Sequence, residues 1–470
     1  MVALSLTIVS ESAFVVNVYV PCYITTRRIT MNDQAYAEAA KETLEKSIAL
    51  VASLKQYFLK HPETDYTRNR KITFERFLNI CLQMEGGTLQ NELLKYYDHA
   101  LDTPTKSAFC QQREKVSPEA IEFLFWEFTK SLVSLDAPKT MKGYRLLACD
   151  GSDINIPYNP LDKDTFQQNG EKKGFNQLHL NAIYDILNGI YIDCILETDK
   201  KCHERAAFLR MVERCNDSIP SIFLADRGYE GYSVFAHLLY SGQKFLIRCK
   251  GESSNGMLST YCFPYDDNGE FDCHINTILT CKQTKDIKEN PQKFTYVPRD
   301  KFDLYEKDYP FFPLDLRVLC IKLVDGNFEY LVTNLDENDF SIAEIKDLYH
   351  LRWGIETSFR QLKYTIDLVH FHAKKRQFIE QEIWARLIVY NFCEAITRHI
   401  AVTRQAEAKY DLQVNFSTAV CTCKAFLKHE NSEIQVCSLI ARFLSPIRPN
   451  RAVQRNIKPS SAKPFLYRAS

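Results

Sequence analysis

The stretch that most limits what this chain can become is LYHLRWGIETSFRQLK, residues 348–363. An α-helix over it, at about 100° per residue, gathers Tyr349, Arg352, Glu356 and Lys363 into a stripe roughly 60° wide. Leu348, Ile355, Phe359, Leu362 and Ile366 form an apolar stripe directly beside it, so the polar edge is expected at the margin of a core, facing a cleft. A carboxylate flanked by a phenol, a guanidinium and an ammonium suits a site that holds a metal ion and grips phosphate. The same stripe also suits an ordinary amphipathic helix with a solvated charged face.

The bulk numbers narrow the classes. A chain of 470 residues has room for roughly two to four domains with a substantial core. Basic and acidic residues balance at 59 each, so any nucleic-acid surface must come from local clustering. The 16 cysteines are scattered without a CxxC pair, which suggests neither a zinc ribbon nor a disulfide framework; reduced thiols are expected. Walker A, Rossmann, HExxH and GxSxG patterns are all missing from the sequence. Residues 1–30 are apolar and β-branched, but Glu11 interrupts them and the first positive charges are Arg27 and Arg28. That fits neither a signal peptide nor a membrane span. Because polar, helix-forming composition begins at Asn32, Met31 is the expected start and 1–30 a poorly ordered extension.

From Asp33 to about Ser134 the pattern is helical, with Ala35–Leu59 and Lys71–Leu82 separated by the turn-prone His61-Pro62-Glu63. A helical domain over 31–140 follows. Arg68, Arg70, Lys71 and Arg76 cluster near its second helix, with Lys106, Arg113 and Lys115 further on. They read either as contacts to backbone phosphate or as routine surface charge. Short apolar runs then predict strands at Arg145–Cys149, His179–Tyr184, Ile190–Leu196, Ile219–Ala225 and Lys244–Cys249, with helices at Glu204–Cys215 and Tyr232–Leu239. Three strands, then helix, strand, helix, strand, imply a mixed sheet with helices packed on it.

Asp150 and Asp226 each follow a buried strand and precede Gly or Arg-Gly, where the chain should turn and point the acid out of the sheet's end. Either one alone could be a turn or helix cap. Asp153, beyond the glycine, is the less suited neighbour of Asp150. Residues 251–335 are rich in β-formers and turns and read as a β-rich insertion, which leaves 141–250 and 336–400 as the core. A helix is expected from Gln381 to about Val402, after the basic string Lys374, Lys375 and Arg376. The 401–470 region is expected to be helical and basic, with no Asp or Glu after Ile434.

The spacing Y-x2-R-x3-E-x6-K, as Tyr349, Arg352, Glu356 and Lys363, resembles the Y-R-E-K signature of one large group of bacterial insertion-sequence DDE transposases. The D-G-S at Asp150 and the D-R-G-Y at Asp226 resemble the contexts of that family's two aspartates. The resemblance implies an α/β fold with an RNase H-like mixed-sheet core, a β-rich insertion between the second Asp and the Glu, and a helical N-terminal domain. It further implies Asp150, Asp226 and Glu356 as catalytic metal ligands. Arg352, Lys363 and Tyr349 would be DNA phosphate contacts, with Arg68, Arg70 and Lys71 as terminal-repeat contacts. Three converging carboxylates repel one another unless a cation sits among them, and two Mg²⁺ ions, with Mn²⁺ as substitute, answer that need.

The implied partners are terminal inverted repeats, target DNA and a second copy of the chain in a synaptic dimer. No membrane is implied; the expected place is the bacterial cytoplasm at the nucleoid. The implied reaction is cleavage at the transposon end by water, then attack of the freed 3′-hydroxyl on target DNA. Some relatives stack a flipped base on a Trp of the insertion. The three tryptophans here are Trp126, Trp353 and Trp384, so a Tyr or Phe would have to serve, and a hairpin intermediate stays open. A catalytically silent DNA-binding descendant and a nuclease without strand transfer are the alternatives.

Overall fold

A computed structural model of the chain describes residues 32–447 apart from 69, 169, 171–173, 199–202, 216–218, 253, 324–325, 401–411 and 429–433, together with two strands nearer the N-terminus. Those strands, β1 (Ser5–Val9) and β2 (Val15–Tyr19), pair antiparallel. The rest of the 1–30 leader, the expected start at Met31 and the basic tail beyond 447 lie outside the described residues.

Helices α1 (Asp33–Ser53), α2 (Phe74–Gln83), α3 (Leu89–Tyr96), α4 (Lys106–Arg113) and α5 (Glu119–Val133) come next. Four of them start at a polar cap. The side chains of Asn32, Thr73, Thr88 and Thr105 accept from the backbone amides of Ala35, Arg76, Asn91 and Ala108, satisfying donors that a helix start leaves orphaned.

The chain then builds β3 (Arg145–Ile156), β4 (Phe166–Gln167), β5 (Phe175–Asp185), β6 (Ile190–Thr198), α6 (Glu204–Arg214), β7 (Ser221–Ala225), α7 (Tyr232–Tyr240) and β8 (Lys244–Cys249). The insertion supplies β9 (Phe271–Thr280), α8 (Lys285–Glu289), β10 (Phe294–Tyr296), β11 (Phe311–Lys322) and β12 (Phe328–Thr333). Helices α9 (Ile342–His350), α10 (Gly354–Tyr364) and α11 (Arg376–His399) follow. The described chain closes with β13 (Leu412–Val414), α12 (Phe416–Lys428), α13 (Val436–Arg442) and β14 (Leu444–Pro446).

The result is a mixed α/β fold around one large sheet, ordered β10-β9-β11-β12-β8-β7-β3-β5-β4 with β6 also on β5. β3, β7 and β8 run parallel, while β5 is antiparallel to both β3 and β6. The insertion extends this same sheet, because β12 pairs antiparallel with β8. Strand alternation divides the core in two. Leu146 and Ala148 face the helices α1, α5, α9, α10 and α11, whereas Leu147 and Cys149 face α6 and α7.

Helix α11 is buried nearly all round and begins earlier than its apolar pattern suggests. Several of its buried polar groups are partnered, Gln381, Glu382, Arg386 and Asn391 among them. Arg113, expected among the surface basic residues, is instead buried, donating from Nε to Gln381 at 2.8 Å and from Nη1 to Glu382 at 3.1 Å. A helical pattern marks that Arg113 lies on a helix but not that its face meets acids far along the chain. Among the described residues no helix is long and apolar enough to cross a membrane.

Candidate active site at the sheet end

Cys149 of β3 pairs with Ala225 of β7, and the next residue on each strand is an aspartate. Asp150 and Asp226 therefore stand side by side where two parallel strands, about 4.8 Å apart, part company. The chain turns after Asp226 into a 3₁₀ turn, Arg227–Tyr229, whose Gly228 amide donates to Asp226 Oδ1 at 2.7 Å. It does not turn after Asp150. β5 offers an antiparallel partner to β3 from Leu147 onward, so the strand runs on to Ile156, and the Gly151 amide donates to Asp150 Oδ1 at 2.8 Å.

The third acid comes from the opposite direction. The single helix expected over 348–363 is two helices, α9 and α10, joined by a 3₁₀ turn at Leu351–Trp353. Tyr349 and Arg352 are buried, at 2% and 3% exposure, while Glu356 and Lys363 remain partly open. The polar edge therefore dives inward at its N-terminal end instead of following the margin of the core. Arg352 Nη2 lies 3.1 Å from Glu356 Oε1, and its guanidinium sits 5.6 Å from the Tyr349 ring centroid and 5.0 Å from that of Trp353.

Electrostatics ties these groups together. Burial pushes the Asp150 carboxyl up to about 7; Arg352 and the Gly151 amide oppose the rise, and the charges of Glu356 and Asp226 add to it. Burial also works against the charge on Arg352, but Tyr349, Glu356, Asp150 and Asp226 hold it firmly protonated. Lys363 belongs to the same end, since Asp153, held low mainly by its hydrogen bond to His179, also feels the Lys363 charge. Among the described residues two buried donors are left over, since neither Tyr349 Oη nor Arg352 Nε has a hydrogen-bond partner there. Such orphans are costly, and an anionic oxygen entering beside them would satisfy both.

The donor set has the chemistry of a hard-cation site: three carboxylates, one of them raised by burial and by its neighbours. Each already has a partner. Asp150 is engaged by Gly151, Asp226 by Gly228 and Glu356 by Arg352, and among the described residues no three His, Cys, Asp or Glu side chains stand close enough to hold a metal as they are.

The other expected contacts lie elsewhere. Arg68 and Arg70 line a surface cavity with Thr64, Gln112 and Lys115 on the loop before α2, and Lys71 is ion-paired to Asp102. The basic string at 374–376 is engaged too, Lys375 with Glu114 and Arg376 with Asp162 and Asp164. Two groups near the acids escape the sequence reading. Arg248 on β8 pairs with Glu329 at 3.3 Å and is felt by Tyr349, and His179 lies between Asp153 and Glu204. No spacing in the sequence signals either, because strand register alone brings their partners together.

The described chain is thus a mixed α/β protein with aspartates following two adjacent parallel strands and the Arg352–Glu356 pair of the facing helix electrostatically coupled to them. The family model described as "Transposase DDE domain" matches residues 141–392, more than half of the chain, which therefore belongs to the DDE transposases of insertion sequences. The chain is 22% identical over 292 residues to transposase InsG of insertion sequence element IS4 from Escherichia coli K12, covering 61% of this chain and 59% of that protein. It is 36% identical over 58 residues to the transposase of insertion sequence element IS421 from Escherichia coli, covering 12% of this chain and 16% of that one. Among solved structures it is similar to piggyBac transposase in a synaptic complex with hairpin DNA, at a TM-score of 0.43 and 9% identity over 91% of this chain and 90% of that one, a likeness too slight to establish a common fold.

Proposed function

We propose that this chain binds the terminal inverted repeats of an insertion sequence and catalyses metal-dependent DNA cleavage and strand transfer, in a cut-and-paste transposition. The observation that carries the reading is that Asp150 and Asp226 directly follow the in-register residues Cys149 and Ala225 and are electrostatically coupled to Glu356 from the facing helix. The order β6-β5-β3-β7-β8, antiparallel then parallel, supports an RNase H-like core over 141–250 and 336–400. In the same reading 251–335 is its insertion, 31–140 a DNA-binding domain and 401–470 a helical, basic C-terminal region.

Asp150, Asp226 and Glu356 would hold Mg²⁺, or Mn²⁺ in its place. When bound, such ions supply Lewis-acid charge on either side of the scissile phosphodiester. Arg352, through its unpartnered Nε, and Tyr349, through its hydroxyl, receive the phosphate oxygens and steady the charge that builds on them, and Lys363 takes a neighbouring phosphate. Water attacks the phosphorus at the element end and the 3′-oxygen leaves as a hydroxyl. That hydroxyl then attacks a target phosphodiester, so one bond forms as one breaks and no covalent protein intermediate is needed. Arg68, Arg70 and Lys71 would follow the backbone of the repeats, and two copies of the chain would bring two ends together in the bacterial cytoplasm.

The test uses the full chain, Mg²⁺ and DNA carrying the element's ends. Nicks should appear at those ends, and D150A, D226A and E356A should bind the DNA and not cleave it. Full cleavage by any of the three would overturn the assignment. Pre-cut ends offered with supercoiled target should give joined products; cleavage without joining would reduce the chain to a nuclease.

A further inference from the structure

β8 reads KFLIRC, an apolar run broken by Arg248 one residue before its end. A guanidinium so placed is costly unless an anion answers it. Register decides where it points. Ile247 pairs with Ala225 of β7, and Ala225 with Cys149 of β3, so the residues that directly follow on the three parallel strands are Arg248, Asp226 and Asp150. Phe245 and Ile247 pack into the core under α6 and α7 and Leu246 into the other, so by alternation Arg248 faces α9 and α10. On β12, Leu331 lies opposite Arg248 and belongs to that same face, as does Glu329 two residues before it.

Glu329 is the anion that answers. Arg248 Nε lies 3.3 Å from Glu329 Oε1, and both side chains are partly buried. Burial raises the Glu329 carboxyl, and the charges of Arg248, Arg352 and Lys346 oppose the rise. Lys346 donates to the Lys322 carbonyl at 3.2 Å. The Tyr349 hydroxyl, pushed up mainly by burial, feels Arg352, Glu329, Arg248 and Asp226 together. One carboxylate thus lies in the field of two guanidiniums and beside a buried phenol.

That is more donor capacity than the carboxylate uses. Among the described residues Arg352 Nε and Tyr349 Oη, both on side chains more than nine-tenths buried, have no hydrogen-bond partner. A phosphodiester carries the same single negative charge as Glu329, and its oxygens can accept from the Arg248 fork and from the orphaned donors at once. Exchanging one anion for the other leaves the charge around the guanidiniums unchanged, and the nearby Lys346 stays to balance Glu329.

We propose that Glu329 is an internal stand-in for DNA: it holds the Arg248 guanidinium in the DNA-free chain and yields it to the phosphodiester that enters beside Tyr349 and Arg352. The proposal rests on the DNA-binding reading given under Proposed function, and its test separates the two.

The full-length chain is titrated over a range of salt, in EDTA to withhold metal, with a fluorescent duplex carrying a pre-cut element end. R248Q should weaken binding by about tenfold and lower the salt slope by about one, the mark of one lost phosphate contact. E329Q, which keeps the shape and removes the charge, should tighten binding by about threefold or more. That gain should vanish in the double variant R248Q/E329Q, because Glu329 acts through Arg248. Melting of each variant verifies that it is folded. If R248Q does not fold, E329Q alone decides, and unchanged or weaker binding overturns the proposal. Wild-type binding by folded R248Q, or an E329Q gain that persists in the double variant, would overturn it as well. Should R352Q weaken binding while R248Q and E329Q leave it unaltered, the stand-in falls and the phosphate site at Arg352 stands. Should the wild type not bind the duplex at all, the DNA-binding reading falls with it.

Discussion

Asp150 bears a marked electrostatic conflict. Its carboxyl is held up to about 7 against an ordinary 3.8, chiefly by burial. Between those values the folded chain keeps a proton that the unfolded chain releases. The folding penalty of this group is therefore absent at low pH, grows as pH rises from about 4 to about 7, and is complete above. D150N should stabilise the DNA-free protein at pH 8 by roughly 2 kcal/mol and give no gain at pH 4, as read from urea unfolding at the two pH values. An equal gain at both would mean that charge burial is not what strains the site. At this scale the aspartates are legible in the sequence because each closes an apolar run just ahead of a glycine or Arg-Gly. His179, Glu204 and Arg248 are not legible, since each meets its partners only through strand pairing or helix-on-sheet packing that spacing does not encode.

Among the elements, α11 does most to hold the molecule together, and Arg113 at the end of α4 is fastened to it. Burial would raise the Glu382 carboxyl, but Arg113 and His372 hold it well below the usual carboxylate range. R113A would strand that acid in the core and should cost about 3–5 kcal/mol, measured by denaturant unfolding. A loss under about 1 kcal/mol would show that the Arg113 bridge is not what ties α4 to α11. Periodicity finds such helices because one residue in three or four is apolar, yet it cannot say what a buried polar position will meet. For the same reason it runs smoothly through Leu351–Trp353, where the chain tightens into a 3₁₀ turn. It also ends β3 at Cys149, because the residues from Gly151 onward are too polar to look like a strand until β5 is there to pair with them.

Across the whole molecule, α1, α2 and α5 share one hydrophobic core with α9, α10, α11 and one face of the sheet. The insertion covers what would otherwise be a bare edge, since β12 pairs with β8. Deleting residues 251–335 should leave β8 as an exposed, apolar edge strand, and the product should aggregate on size-exclusion chromatography. A monodisperse, cooperatively folding deletion would show that the edge needs no cover. Sequence composition can mark that region as β-rich, but not that its strands join an existing sheet.

If the proposed ligands bind where Arg352 and Glu356 stand, the ion pair between these two residues couples them. A phosphodiester oxygen that draws the guanidinium aside returns full charge to the carboxylate, and a cation that takes the carboxylate releases the guanidinium. By thermodynamic reciprocity each ligand must then raise the other's affinity by one and the same factor. In the proposed function, metal and nucleic acid would together arm a conditional device.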